Sequence, residues 1–142
     1  MKFTPYLNFP GTCREAFEFY QKATGGTIES MISHGETPAG EFVADDWKHT
    51  IMHARLAVGD AVIMGSDAPR EMEVTPQGIY VSIHADTPEE ADRIYAALSE
   101  GGQVQMEIQK TFWAERFAMF VDRFGIPWMI NCEMVTEGAA SA

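Results

Sequence analysis

An α+β fold made of two βαβββ modules is predicted by three observations. A segment recurs: residues 12–26 read TCREAFEFYQKATGG and residues 87–102 read TPEEADRIYAALSEGG. Both open Thr-x-x-Glu-Ala, both place a Tyr four residues after the Ala (Ala16/Tyr20 and Ala91/Tyr95), and both close on Gly-Gly. Each copy also sits between strand-like segments, one ahead and three behind. Finally, the two copies lie half a chain apart, the mark of an internal duplication. Paired half-modules enclose a cleft, which is where a function is to be sought.

The elements follow in order. Residues 3–9 form a short extended segment, with Pro5 near its start and Pro10 after its end. Thr12 is a good N-cap and Glu15 completes a capping box. Ala16, Phe17, Phe19, Tyr20 and Ala23 make the apolar stripe of a helix, which Gly25-Gly26 stops. Residues 27–33 are a second strand, and residues 34–48 a long polar loop carrying Gly35, Pro38 and Gly40. Residues 50–58 and 61–65 make a hairpin about Gly59-Asp60. Residues 66–77, with Pro69 and Pro76, contain the linker, bounded at 69–76. Residues 78–85 then alternate Ile79, Val81 and Ile83 against Tyr80, Ser82 and His84, the period-2 pattern of a half-buried strand. Thr87, Pro88 and Glu90 start the second helix, with Ala91, Ile94, Tyr95, Ala97 and Leu98 as its stripe and Gly101-Gly102 as its stop. Residues 104–109, 116–122 and 127–133 complete the second half, with a turn at 123–126. The modules span 1–68 and 77–135 of one structural domain, and 136–142 form a tail expected to fray. Four strands cannot close a barrel alone, so each sheet is expected to curl into a half-open cup, its helix on the convex face.

Composition narrows the partners. With 46% hydrophobic and 22% charged residues, the 142-residue chain has ordinary globular composition and buries enough surface to need no staples. The formal net charge of −11 disfavours nucleic acid and anionic membranes, both of which require a basic surface. Cys13 and Cys132 belong to no motif and read as free thiols of a reducing compartment. No apolar run approaches a membrane span and residues 1–9 lack a signal-peptide core, so a cytoplasmic location is expected.

The segments PYLNF, EAFEFY, HARLAVGDAVIMGSD and KTFWAERFAMFVDRFGIPWMIN span residues 5–131. Together they resemble the vicinal oxygen chelate superfamily (glyoxalase I, extradiol dioxygenases, bleomycin-resistance proteins) and, within it, the PhnB-like proteins. The most specific features are Phe112-Trp113, the turn Asp122-x-Phe124-Gly125, and the run from Pro127 to Asn131. The resemblance implies a glyoxalase-like fold and a homodimer, often with cups completed across subunits. It also implies four metal-ligand positions in metal-dependent members, on the first and fourth strands of each half. On this chain they fall at Pro5 (or Tyr6 if the register shifts by one), Met64, Tyr80 and Met129. None is His or Glu, and a thioether is a soft ligand ill suited to hard or borderline cations. No metal and no cofactor are therefore expected. PhnB-like proteins often carry a demethylubiquinone methyltransferase label. Methyl transfer from S-adenosylmethionine usually uses a glycine-rich turn between strand and helix, and the sequence has none.

Of His34, His49, His53 and His84, none is paired at a helical ligand spacing. Met52, Ala54, Leu56 and Val58 form an apolar row directed at the helix, which leaves Ile51, His53 and Arg55 on the opposite, concave face. His84 shares the face of Tyr80 and Ser82. His53 is either a hydrogen-bonded strand residue or a ligand-binding or acid–base group titrating near neutrality. In the catalytic reading His53 is the base and Tyr80 the hydrogen-bond donor. The ligand-binding set is Asn8, Arg55, Met64, Ser66, Asp67, Ser82, Trp113, Glu115 and Met129, with His53 and Arg55 favouring an anionic or oxygen-rich molecule. Plainer roles compete: Asp67 as a turn cap, Phe112 and Trp113 as core or dimer packing, Glu115 as a solvated carboxylate, Cys132 as an inert buried thiol. The expected function is that of a PhnB-like protein binding a small polar molecule in a cleft without the superfamily's usual metal. The alternatives are a sequestration protein of the bleomycin-resistance kind, or a metal-dependent lyase, isomerase or dioxygenase with substituted ligands.

Overall fold

The computed structural model describes residues 1–72 and 75–134 and divides into two compact units, Met1–Thr75 and Pro76–Ala142. In the first unit β1 (Tyr6–Phe9), α1 (Cys13–Thr24), β2 (Thr27–Ser33), β3 (Ile51–Val58) and β4 (Ala61–Asp67) follow in turn, with three short 3-10 turns between β2 and β3. The second unit repeats the order with β5 (Val81–His84), α2 (Pro88–Ser99), β6 (Gln103–Gln109), β7 (Ala114–Val121) and β8 (Pro127–Glu133). Each unit holds a four-stranded mixed sheet, ordered β1-β4-β3-β2 and β5-β8-β7-β6. In each, the first and fourth strands run parallel and the other pairs antiparallel. This is the predicted βαβββ repeat and α+β class. Among the described residues no helix is long and apolar enough to cross a membrane.

Most of each predicted stripe is buried, while Phe19, Tyr95 and Ala97 are half-buried. Ala16, Phe17, Tyr20 and Ala23 of α1 are buried with Leu7, Phe9, Ala54 and Leu56 of the strands beneath. Phe17 meets Phe9 edge-on at 6.2 Å and lies tilted against Tyr20 at 5.9 Å. Ala91, Ile94 and Leu98 of α2 cover Ala118, Phe120, Trp128 and Ile130, and Tyr95 packs edge-on to Phe120 at 5.7 Å. Each large apolar side chain contributes roughly 1.5–3 kcal/mol. One close approach demands glycine: a Cβ on Gly65 would lie 2.7 Å from Phe17 Cε1 and 2.9 Å from the Leu7 carbonyl oxygen. Gly25 ends α1 in the left-handed region at φ 76°, as its sequence predicts.

Several boundaries move. β1 starts at Tyr6, and Phe3 lies exposed before it. β4 runs on through Ser66 and Asp67, because Asn8 and Phe9 pair with them; the candidate linker therefore cannot begin at 66. β5 starts only at Val81, since Gly78 turns the chain at φ 80° and Ile79 is solvent-exposed. The 69–76 segment contains a short 3-10 turn at Arg70–Met72, while 73–74 and the tail at 136–142 lie outside the described residues.

The capping box expected at Thr12 and Glu15 is replaced by a distant group. Thr12 makes no side-chain cap bond. Instead Asp67, only 3% exposed, turns its carboxylate under the helix entrance. Its Oδ1 accepts from the Gly11 and Cys13 backbone N–H groups, both at 2.9 Å, and its Oδ2 accepts from the Ile51 N–H at 2.7 Å. A carboxylate suits this place because the first N–H groups of a helix lack partners and carry partial positive charge. In the second unit the predicted cap does form. Thr87 Oγ1 accepts from the Glu90 N–H at 3.1 Å, and Glu90 Oε1 accepts from the Asp86 N–H at 3.2 Å.

Asp67→Ala leaves three backbone donors without their acceptor, two of them in buried bonds, and is expected to cost about 3 kcal/mol or more in urea unfolding. Glu18→Ala, on the exposed side of α1, is expected to stay within about 0.5 kcal/mol. Both cysteines are free and buried. Burial, with the Asp67 carboxylate second, pushes the Cys13 thiol far above its ordinary range, and burial followed by Glu115 raises Cys132. A raised thiol stays protonated, and only the thiolate is nucleophilic. The folded protein at about pH 8 should therefore leave Ellman's reagent unreacted, with both thiols titrating once denaturant is added.

Candidate functional site

Strand alternation sorts each sheet into two faces. In the first unit Leu7, Phe9, Ala54, Leu56 and Gly65 turn toward α1, which packs on β2, β3 and β4. The alternate residues occupy the opposite face. One register row crosses the whole sheet: Tyr6 on β1 pairs with Met64 on β4, Met64 with Arg55 on β3, and Arg55 with Ser30 on β2. A neighbouring row holds Asn8 paired with Ser66, and His53 paired with Ile32.

Polar contacts link these side chains. The Tyr6 hydroxyl lies 3.4 Å from His53 Nδ1, with the rings tilted and 6.0 Å apart. That contact is long, so both groups keep hydrogen-bonding capacity for a ligand. Ser66 donates to Asn8 Oδ1 at 3.2 Å, which leaves the Asn8 amide hydrogens free to donate. Arg55 Nε donates to Glu29 Oε1 at 2.7 Å. Tyr6 is 49% exposed, so the pair with His53 is open to solvent.

Five sequence-predicted residues thus meet on one face: Asn8, His53, Arg55, Met64 and Ser66. The others stand elsewhere. Asp67 faces the opposite way, its carboxylate occupied by three amides, and is an anchor and not a ligand group. It differs also from the local turn cap considered for it, because its partners come from two distant segments, the turn entering α1 and the start of β3. Tyr80 precedes β5, and its hydroxyl donates to Gln105 Oε1 on the far edge strand β6 at 2.8 Å. The donor assigned to chemistry is therefore engaged in bridging the second sheet. Ser82 pairs with Met129. Glu115 is not partnerless: Lys110 Nζ lies 3.7 Å away. Trp113 is about half exposed and packs edge-on between Phe112 at 4.8 Å and Phe117 at 5.4 Å.

Two residues were missed. Tyr6 entered only as a shifted metal position, yet it is the partner of His53. Glu29 sits at an irregularity between the Ile28 and Ser30 pairings, where alternation does not tell which face a side chain takes. The pairing also corrects the position expected at Tyr80. Tyr6 lies across from Met64, whereas the residue across from Met129 is Ser82. Each sheet thus sets a hydroxyl residue beside a thioether, Tyr6 by Met64 and Ser82 by Met129, a donor set that does not fit a hard or borderline divalent ion. Among the described residues no three His, Cys, Asp or Glu side chains gather into a metal-binding group.

The chain matches the family described as 3-demethylubiquinone-9 3-methyltransferase over residues 1–131. It is 33% identical over 139 residues to Protein YjdN of Escherichia coli (strain K12), covering 92% of this chain and 95% of that one. Protein PA1353 from Pseudomonas aeruginosa shares 46% identity and a TM-score of 0.86, over 94% of this chain and 98% of its own. A PhnB protein from Bacillus cereus superposes with a TM-score of 0.74 at 22% identity, over 93% and 99% of the two chains. The same fold is found in a glyoxalase/bleomycin resistance protein/dioxygenase family enzyme from Burkholderia phytofirmans PsJN, with a TM-score of 0.62 at 16% identity over 91% and 97% of the two chains.

Proposed function

The chain belongs to the PhnB-like family described as 3-demethylubiquinone-9 3-methyltransferase, with the glyoxalase fold, and we propose that it binds a small polar molecule on the face of the first sheet opposite α1. The observation that carries this reading is the meeting there of two hydrogen-bonding pairs, Tyr6 with His53 and Asn8 with Ser66, beside the adaptable side chain of Met64. Sites of this kind combine an apolar floor with a few placed polar groups. Asn8 offers amide donors, Ser66 and Tyr6 offer hydroxyls, and His53 offers a ring that donates or accepts according to its tautomer.

Among the described residues, neither strand-to-helix connection offers a cradle for a donor of the S-adenosylmethionine type. The strand-to-helix connections are Pro10-Gly11-Thr12 and Ala85-Asp86-Thr87, neither of them glycine-rich. The amides at the start of α1 are already taken by Asp67. No methyl-transfer step is therefore assigned. If a bound molecule is turned over, His53 is the base, with Tyr6, in place of Tyr80, as the hydroxyl within reach of it.

A thermal-shift screen of the native protein against small polar metabolites should yield a stabilising ligand, since binding raises apparent stability by mass action. His53→Ala and Tyr6→Phe should each weaken that ligand by about tenfold. Both lie on a solvent-facing surface, so each should leave the unliganded melting temperature within about 2 °C. Ligands that bind both variants as tightly as the native protein would remove this face as the site. Recovery of the ligand after prolonged incubation then separates the two functions: unchanged ligand marks binding alone, consumed ligand marks catalysis.

A further inference from the structure

Resting on the reading of that face as a ligand site, we infer that Arg55 and Glu29 form an oxyanion subsite within it, which takes the carboxylate or phosphate group of a small organic anion. The guanidinium is held at one corner only. Its Nε donates to Glu29 Oε1 at 2.7 Å, and Nη1 and Nη2 have no partner among the described residues. A guanidinium carries five donors in a fixed planar fork. Anchoring Nε fixes the plane and leaves the outer edge, formed by both terminal nitrogens, free for a bidentate oxyanion. The side chain is 39% exposed and Glu29 46%, so the edge is reachable from solvent.

The place of Arg55 in the register row gives the ligand a shape. Met64 lies between Arg55 and Tyr6, so an anion seated on Arg55 runs its apolar part over Met64 toward the Tyr6–His53 pair. The second sheet supplies an internal contrast. There Met119 pairs with Met129 as Arg55 pairs with Met64. Gln105 falls at the irregularity between the Val104 and Met106 pairings, where the first sheet has Glu29. Both charges of the pair are absent together from the second copy. The net charge of −11 also repels anions in general, so a fork with both terminal nitrogens open stands apart from its surroundings.

The test is an amide-resolved NMR titration of the native protein with three probes: hexanoate, its neutral isostere hexanamide, and inorganic phosphate. Hexanoate should shift the Ser30, Arg55, Met64 and Tyr6 amides, and hexanamide should not. Arg55→Gln should weaken hexanoate by about tenfold or more, the scale of a lost charged hydrogen bond. Glu29→Gln should tighten it by about threefold, because a competing negative charge is removed, an effect that a merely structural ion pair would not produce. Phosphate that competes with hexanoate supports a general oxyanion subsite, and hexanoate binding without competition supports one confined to carboxylates. The inference is overturned if hexanoate causes no shifts, if hexanoate and hexanamide act alike, or if Arg55→Gln leaves the hexanoate response unchanged. Shifts at Tyr6 and His53 that survive Arg55→Gln would remove the anion subsite while leaving the small-molecule face standing.

Discussion

The first unit depends on one buried carboxylate. Asp67 at the end of β4 joins three segments that are distant in sequence: the turn entering α1, the start of β3 and its own strand. An ionised carboxylate is costly to bury unless its oxygens are bonded, and here three N–H groups bond them. The alternation of the strand ties this anchor to the candidate site. Because Asp67 points under the helix, Ser66 points to the other face, where it donates to Asn8. The register that seats Asp67 across from Phe9 also sets Met64 across from Tyr6.

The second unit uses a different buried carboxylate for a different task. Asp122 is 3% exposed and sits at the turn between β7 and β8. Its Oδ1 accepts from the Phe124 and Ile126 N–H groups at 2.8 and 3.0 Å, and its Oδ2 accepts from Trp128 Nε1 at 2.8 Å. This explains physically why the Asp122-x-Phe124-Gly125 turn and Trp128 occur together. The turn needs an acceptor, the buried indole needs one too, and a single carboxylate serves both. The helix of this unit is then left to cap itself locally through Thr87.

The difference shows what the sequence made legible. Repeat, helix stripes and strand alternation are local patterns, and they identified the fold, both apolar faces and five residues of the candidate site. The two Thr-x-x-Glu motifs look alike, yet only Thr87 caps its helix. Nothing near Thr12 reports that a carboxylate from β4 has displaced the local cap, because that contact exists only once β1 and β4 pair. Tyr80 was misplaced for a related reason. Alternation continues through Ile79 and Tyr80, but a positive-φ glycine at 78 delays the strand, and pairing shifts the expected position to Ser82. Glu29 was illegible because an irregular pairing breaks the period that would have assigned its face.

The duplication also serves as an internal comparison of the two open faces. Aligned by their β3–β4 and β7–β8 pairings, Met64 and Met129 correspond, so the central thioether belongs to the common scaffold. The irregularity in β2 corresponds to the one in β6, so it too is a property of the repeat. What differs is charge and chemistry. Arg55 corresponds to Met119, Glu29 to Gln105, and His53 to Phe117, which is packed against Trp113. Across the second face, Tyr80 and Gln105 bond directly to each other at 2.8 Å, whereas on the first face the Tyr6–His53 contact is longer, at 3.4 Å. A scaffold requirement would act on both copies of a repeat, since both build the same sheet over the same kind of helix. Arg55, Glu29 and His53 have no ionisable counterparts at the matching positions of the second copy, so the common scaffold alone does not require them.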